Sequence, residues 1–275
     1  VYKAVAEQYN LRLLNSEEIW VWVTAFVLYD ACYYWMHRIH HEIKVFWATH
    51  VVHHHGEEFN LSTALRQTST GFLWKWVFFL PLFIIGIPPH MYVTVAGINL
   101  VYQFWVHTEH IGRLGFLEYI FVTPSNHRVH HAQNEDYLDA NYGGVFILWD
   151  LLFGTFIDER ADLKPIYGTV KPLKSFNPFW ANFEVFYQMI FDSYHTEKFY
   201  DKIKVWFSPP NWRPQDVSIK YPIEKNDLSS FEKYNPEIGL REKLFAGTQF
   251  AVINLMTIVM LFNVDTEGEA VLDPE

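Results

Sequence analysis

The chain has 275 residues and a formal charge of −10, with half of its residues hydrophobic and 19% aromatic. Without a basic excess it offers no footprint for nucleic acid. Its single cysteine, Cys32, excludes an internal disulfide and a thiolate metal site, so any metal must be held by histidine and carboxylate.

In chain order, the first apolar stretch is IWVWVTAFVLYDACYYWM at 19–36. It approaches the roughly 20 residues a helix needs to cross a bilayer, provided that Asp30 faces protein and not lipid. It runs into HRIHHE, where His37 and His41 stand four apart on one helix face, with Asp30 two turns earlier on that face. After a short turn, EIKVFWAT, His50, His53 and His54 follow at i, i+3 and i+4. WVFFLPLFIIGI (76–87) and HMYVTVAGINLVYQFWV (90–106) read as a helical hairpin broken at the intervening prolines. His107 and His110 come next, three apart, and His127, His130 and His131 repeat the i, i+3, i+4 spacing. Residues 161–242 are polar and proline-rich and read as a cytoplasmic extension with short helices near 178–200. LFAGTQFAVINLMTIVMLF (244–262) is long enough to span outright and leads to an acidic tail with Asp265, Glu267 and Glu269.

The basic residues flanking these stretches are Arg38, Lys44, Arg66, Lys75, Arg113, Arg128, Arg241 and Lys243, whereas the 86–90 turn has no charge. The positive-inside rule therefore places every histidine cluster on the cytoplasmic side. The expected fold is all-α: an integral-membrane helical bundle with a cytoplasmic helical cap that carries a histidine-rich dinuclear site. Residues 1–160 form the membrane-embedded core, 161–242 the extension, and 243–275 a C-terminal transmembrane helix with its tail. Aromatic residues at the segment ends argue against the alternative, the core helices of a soluble protein. Val1 in place of an initiator methionine reads as a start within a longer protein.

Three separated clusters, each at helical spacing beside an apolar segment, aim two or three imidazoles apiece at one place. Neutral imidazole suits iron, zinc, copper and nickel. Three or four histidines saturate one ion, so eight or more imply two. His40 and His55 lie off the faces of their neighbours and are set aside as supporting or exposed. His90 and His195 read as structural, and His110 stays open. Metal-bound histidines lean on nearby carboxylates and carbonyls, which makes Asp30, Glu42, Glu109, Asp139 and Asn141 candidates for that support. No dinucleotide fingerprint, iron–sulfur cysteine set or haem motif is present.

The motifs HRIHH, HVVHH and HRVHH, together with NYGGVFILWDLLFGTF (141–156), resemble the fatty acid hydroxylase/sterol desaturase superfamily from about Asp30 to Asp158. YYWMHR, NLSTALRQ and YQFWVHTE are most similar to its alkylglycerol monooxygenase branch and the bacterial relatives of that branch. The resemblance implies an O2-dependent membrane monooxygenase that hydroxylates an ether lipid, an acyl chain or a sterol. It implies two iron ions, with zinc an alternative occupant of purified samples. The metal set becomes His37, His41, His50, His53, His54, His107, His127, His130 and His131, His107 entering through the resemblance. Glu42 matches a glutamate of that branch and joins Asp30 and Asn141 as catalytic candidates. The reductant is tetrahydrobiopterin, a diffusible pterin, or an electron-transfer protein. The alternatives are a desaturase on the same scaffold and, in another class, a membrane metal-binding protein without redox turnover. The region after about 165 carries no alignable motif.

Overall fold

The structure, a computed structural model, describes residues 1–14 and 18–271, with side chains through Asn263. The side chains of the acidic tail, Asp265, Glu267 and Glu269, lie outside that range. Thirteen α-helices follow in chain order among the described residues: α1 Tyr2–Gln8, α2 Ile19–Glu42, α3 Lys44–Trp47, α4 Val51–His54, α5 Leu61–Leu65, α6 Leu80–Ile85, α7 Pro89–Trp105, α8 Pro124–His130, α9 Leu148–Phe153, α10 Pro178–His195, α11 Phe199–Phe207, α12 Gln215–Lys220 and α13 Leu240–Val271. No strand occurs among them, only two isolated bridges.

The chain divides into two compact units, residues 1–232 and 233–275. Residues 161–232 thus share a unit with 1–160, and the break falls ten residues before the end of the expected extension. The second unit contains α13, whose Leu240–Asn263 portion is the one described helix long and apolar enough to cross a membrane. The sequence reads as four apolar stretches, of which only the fourth qualifies outright. The 76–87 stretch does not form one helix: a 3-10 turn, Lys75–Phe79, precedes α6, and Gly86 ends α6 at φ +116°. α7 has 17 residues, and the continuous α2 carries Asp30 within its apolar run and turns polar at its histidine end.

In the first unit α2 is the central strut. Val21, Ala25, Tyr29 and Met36 on one side of it pack with Phe79, Leu82, Ile87, Met91 and Val95 of the hairpin. The α2 residues are spaced four, four and seven apart, with the partly buried Cys32 filling the gap, so the sequence pattern alone directs the helix onto α6 and α7. Asp30 is fully buried. Its carboxylate accepts bonds from Val145 N, Phe146 N, Trp149 Nε1 and Asn99 Nδ2 at 2.8–3.1 Å. The condition set for the first segment is therefore met: Asp30 faces protein. The loop it holds comes close to α2 at Gly144, where a Cβ would lie 2.8 Å from both Asp30 and Tyr33.

Candidate metal centre

Four pieces of chain deliver the histidines. The C-terminal half of α2 carries His37 and His41, and α4 with its N-cap carries His50, His53 and His54. His107 lies just beyond α7, and α8 with its C-cap carries His127, His130 and His131. A Thr123–Asn126 capping box and Pro124 start α8. The buried Arg128–Glu159 ion pair (2.6 Å) and Arg128 bonds to the Thr108 and Ile111 carbonyls then fix α8 against the segment after His107.

The nine residues fall into two buried groups able to hold metal ions. His37, His41, His50, His54 and His130 form one, and His53, His107, His127 and His131 the other, with ligand atoms inside each group within 4.8 Å of one another. His54 and His131 stack across the two groups at 4.3 Å between ring centroids. The donor chemistry fits a metal pair. Nδ1 of His37, His130 and His107 donates to the carbonyls of Tyr142 (2.9 Å), Ala140 (2.9 Å) and Gln103 (2.7 Å). A carbonyl only accepts, so each Nε2 keeps its lone pair and aims it inward. Nε2 of His127 faces Nε2 of His107 at 2.9 Å, and His37 faces His50 at 3.1 Å. His41 Nε2 and His130 Nε2 are buried with no hydrogen-bond partner in the structure, a costly arrangement that a cation would relieve.

Charge is arranged to match. Burial first, and the neighbouring imidazoles second, hold His37, His41, His50, His53, His54, His127 and His131 well below the ordinary histidine value. Burial brings His107 and His130 to about 4. All nine are therefore neutral near pH 7, the state in which imidazole binds metal.

Other sequence candidates lie elsewhere. Asp30 bonds to the 145–149 loop and to Asn99 and to no histidine, so it supports the site through the loop that presents Tyr142. Asn141, in the left-handed region at φ +57°, ties its loop to α8 and to the segment at Ile157. Its Nδ2 donates to the Asn126 and Ile157 carbonyls and its Oδ1 accepts from Ile157 N, at 2.8–3.0 Å. Asn141→Ala is expected to lower unfolding stability by about 2–4 kcal/mol, measured as a shift in denaturation midpoint at unchanged m. Glu42 is 41% exposed in its side chain and pairs with Arg38 at 2.8 Å. His40 and His55 belong to neither group but are buried and not exposed, and His110 is exposed and outside both groups.

Sequence reasoning missed three things. The Tyr142 ring lies 5.4 Å from that of His41, with its hydroxyl buried and unpartnered. It sits inside NYGG, a stretch singled out only as a signature. The second is a cavity of about 180 Å³ reaching His41, His54, His130 and His131. The third is that the cavity is also lined from the region after 165, where the sequence shows no motif: Lys171, Glu184, Gln188 and Arg213. Glu184 accepts from Lys171 at 2.6 Å, and Arg213 pairs with the buried Asp192 at 2.8 Å. Two acids on the buried face of an aromatic helix were the available signal.

The fatty acid hydroxylase family matches residues 22–155. The chain is 39% identical to alkylglycerol monooxygenase of Homo sapiens over 258 residues, covering 94% of this chain and 55% of that protein. Against the Xenopus tropicalis alkylglycerol monooxygenase it is 38% identical over 274 residues, covering 99% and 60%. An ornithine lipid hydroxylase of Rhizobium tropici is 29% identical over 142 residues, 49% of this chain and 41% of that one. The chain spans little more than half the length of the alkylglycerol monooxygenases it matches. No solved structure matches it. With all three histidine motifs inside the matched segment, and this identity sustained over nearly its whole length, the chain belongs to the fatty acid hydroxylase superfamily.

Proposed function

We propose that the chain is a membrane-bound monooxygenase that hydroxylates a C–H bond of a lipid, with alkylglycerol-type ether lipids as the first substrate class. The observation that carries this reading is the pair of buried, neutral, all-imidazole groups at the base of a cavity. The nine histidines would hold two iron ions, which supply O2 activation when bound. The chain lacks a redox cofactor motif, so a pterin or an electron-transfer protein delivers the electrons. The metal site faces the cytoplasmic side in this reading.

The chain's own residues do the rest. Carbonyls 140 and 142 orient His130 and His37. Burial keeps the Tyr142 phenol protonated, so its hydroxyl holds a proton beside the five-histidine group. Tyr142→Phe removes an unpartnered buried hydroxyl. It is expected to leave stability unchanged or up to about 1 kcal/mol higher, while turnover falls on the order of tenfold or more if the hydroxyl donates to the reacting group. Metal content, denaturation midpoint and kcat on one preparation separate these effects. Glu42→Gln is the companion control, because a half-exposed i,i+4 pair contributes little to stability.

The test of the function is direct. Full chain loaded anaerobically with ferrous iron is given O2, an alkylglycerol and tetrahydrobiopterin, and products are followed by mass spectrometry. Aldehyde release or a +16 Da product is expected. An alkene product would move the assignment to a desaturase. No turnover of alkylglycerol, acyl lipid or sterol with either pterin or a reduced electron carrier would overturn the reading.

A further inference from the structure

Helix α10 has two unlike faces. Ala181, Glu184, Met189 and Asp192 are buried. Met189 packs with Val45 and Ala48 between the first two histidine motifs, and Glu184 and Gln188 line the cavity above the histidines. The other face carries Phe179, Phe183, Tyr187, Ile190 and Tyr194, spaced four, four, three and four residues apart. α11 packs against α10 and continues the pattern with Phe199, Tyr200, Ile203 and Phe207, opposite the buried Val205. These nine side chains are 50–79% exposed. A contiguous aromatic stripe of this size on a soluble surface is rare.

The stripe contains no charged residue. The acids of α10, Glu184 and Asp192, are turned inward onto Lys171 and Arg213, and Asp201 of α11 lies off the stripe. Lysines border it: Lys198 precedes α11, Lys202 donates to the Ser193 carbonyl, and Lys204 lies 4.5 Å over the Trp212 ring. Aromatic and aliphatic side chains on one face, with lysines at the margin, are the pattern of a helix lying in the lipid headgroup layer. The stripe also joins a second apolar surface. Asn182 Oδ1 accepts from Ser69 N (2.8 Å) and Ser69 Oγ (2.9 Å). This ties the start of α10 to a segment three residues ahead of the exposed Phe72, with the exposed Trp74 and Trp76 just beyond.

We propose that the α10–α11 hairpin docks on a lipid bilayer, its aromatic stripe among the upper acyl chains and its lysines at the headgroups. α10 is then the partition between lipid and the metal cavity, because its opposite face lines that cavity. The docking rests on the exposed faces alone, and its use in delivering a lipid substrate rests on the function proposed above.

The experiment places one nitroxide per chain at Phe183→Cys, Tyr187→Cys or Ile203→Cys, in a Cys32→Ser background. Gln215→Cys, at an exposed polar site, serves as the reference. The full chain is reconstituted in vesicles of phosphatidylcholine with about one fifth phosphatidylserine, and label accessibility to O2 and to a water-soluble nickel chelate is compared. The three stripe positions are expected to favour O2 over the chelate by roughly fivefold or more relative to Gln215. Chelate access equal to that at Gln215 overturns the proposal. So does spin–spin broadening at one label per chain, which reports a second copy seated on the stripe. Metal content and product formation are measured on the same samples. Water-exposed labels on an active, metal-loaded chain sink the docking alone, and lipid-embedded labels on an inactive chain sink the function alone.

Discussion

Changing His41 and His127 to alanine, one in each imidazole group, is expected to weaken iron binding at both groups and to bring metal content well below two per chain when iron is limiting. Each single variant is expected to weaken its own group alone. Turnover should fall by on the order of a thousandfold in either single variant, because the metal pair supplies several kcal/mol of transition-state stabilisation. The physical interest lies in the sign of the stability change. In the metal-free chain His41 Nε2 is buried without a partner and its ring neighbours are four imidazoles with Trp47 and Tyr142, so the native residue is a local cost. An apolar replacement of similar size, His41→Leu, is therefore expected to raise the stability of the metal-free chain by about 1–2 kcal/mol. The same variant should lose most of the stabilisation that added metal gives the wild type, which follows RT ln(1 + [L]/Kd). Thermal unfolding of both proteins with chelator and with ferrous iron reads this crossing. If His41→Leu destabilises the metal-free chain as much as the loaded one, His41 is a packing residue and not a ligand.

The site was legible where it is local. Ligand pairs three and four apart repeat within one helix turn, so the spacing in HRIHH, HVVHH and HRVHH carries its geometry without knowledge of the fold. Asp30 shows the limit. Its place before His37 invited a direct bond to a histidine, yet its partners are 115 and 116 residues away, at Val145 and Phe146. No local pattern encodes that pairing. His37 instead finds its partner in the Tyr142 carbonyl, a group that sequence does not distinguish from any other carbonyl.

Asn141 shows the same limit. Its left-handed backbone and three side-chain bonds depend on where 126 and 157 fall in space. The cavity wall was invisible because Lys171, Glu184 and Arg213 come from a stretch with no motif, brought to the histidines by the apolar packing of Met189 and Val205. Apolar length misled at 76–87. There the composition reads as a span, while Pro81 and Gly86 cut the helix to Leu80–Ile85. The tyrosines and phenylalanines of α10 likewise counted toward bulk hydrophobicity before their one-sided exposure gave them a separate meaning.

Mild acid is expected to unfold the metal-free chain at a pH well above the carboxylate range. All nine clustered histidines have folded-state values below the ordinary 6.5, two of them at about 4 and the others well below 6.5. A base with a depressed folded value stays neutral in the folded chain while the unfolded chain takes up its proton. Its contribution is therefore fully present above about pH 6.5 and is lost as pH falls from there toward the folded values. Each histidine costs at most about 1.4 kcal/mol per pH unit in that window. Three of them acting together would remove about 4 kcal/mol per unit, against a total stability of about 5–15 kcal/mol for a typical fold. Asp150 opposes them. Burial raises it to about 6 and raises Asp139 above its ordinary value as well, so both favour the folded chain as pH falls, but they are few against nine histidines. Glu159 and Glu184 are held below the usual carboxylate value by Arg128 and by His55 with Lys171, and they lose stability only at lower pH. The expected acid midpoint in detergent, followed by tryptophan fluorescence from pH 8 to 4, lies near pH 5–6 for the chelated chain. It should lie lower with iron bound, because metal and protons compete for the same nitrogens and only the folded chain gathers all nine. A chelated chain that unfolds only below pH 4.5 would mean that the imidazoles do not sit neutral and buried as described.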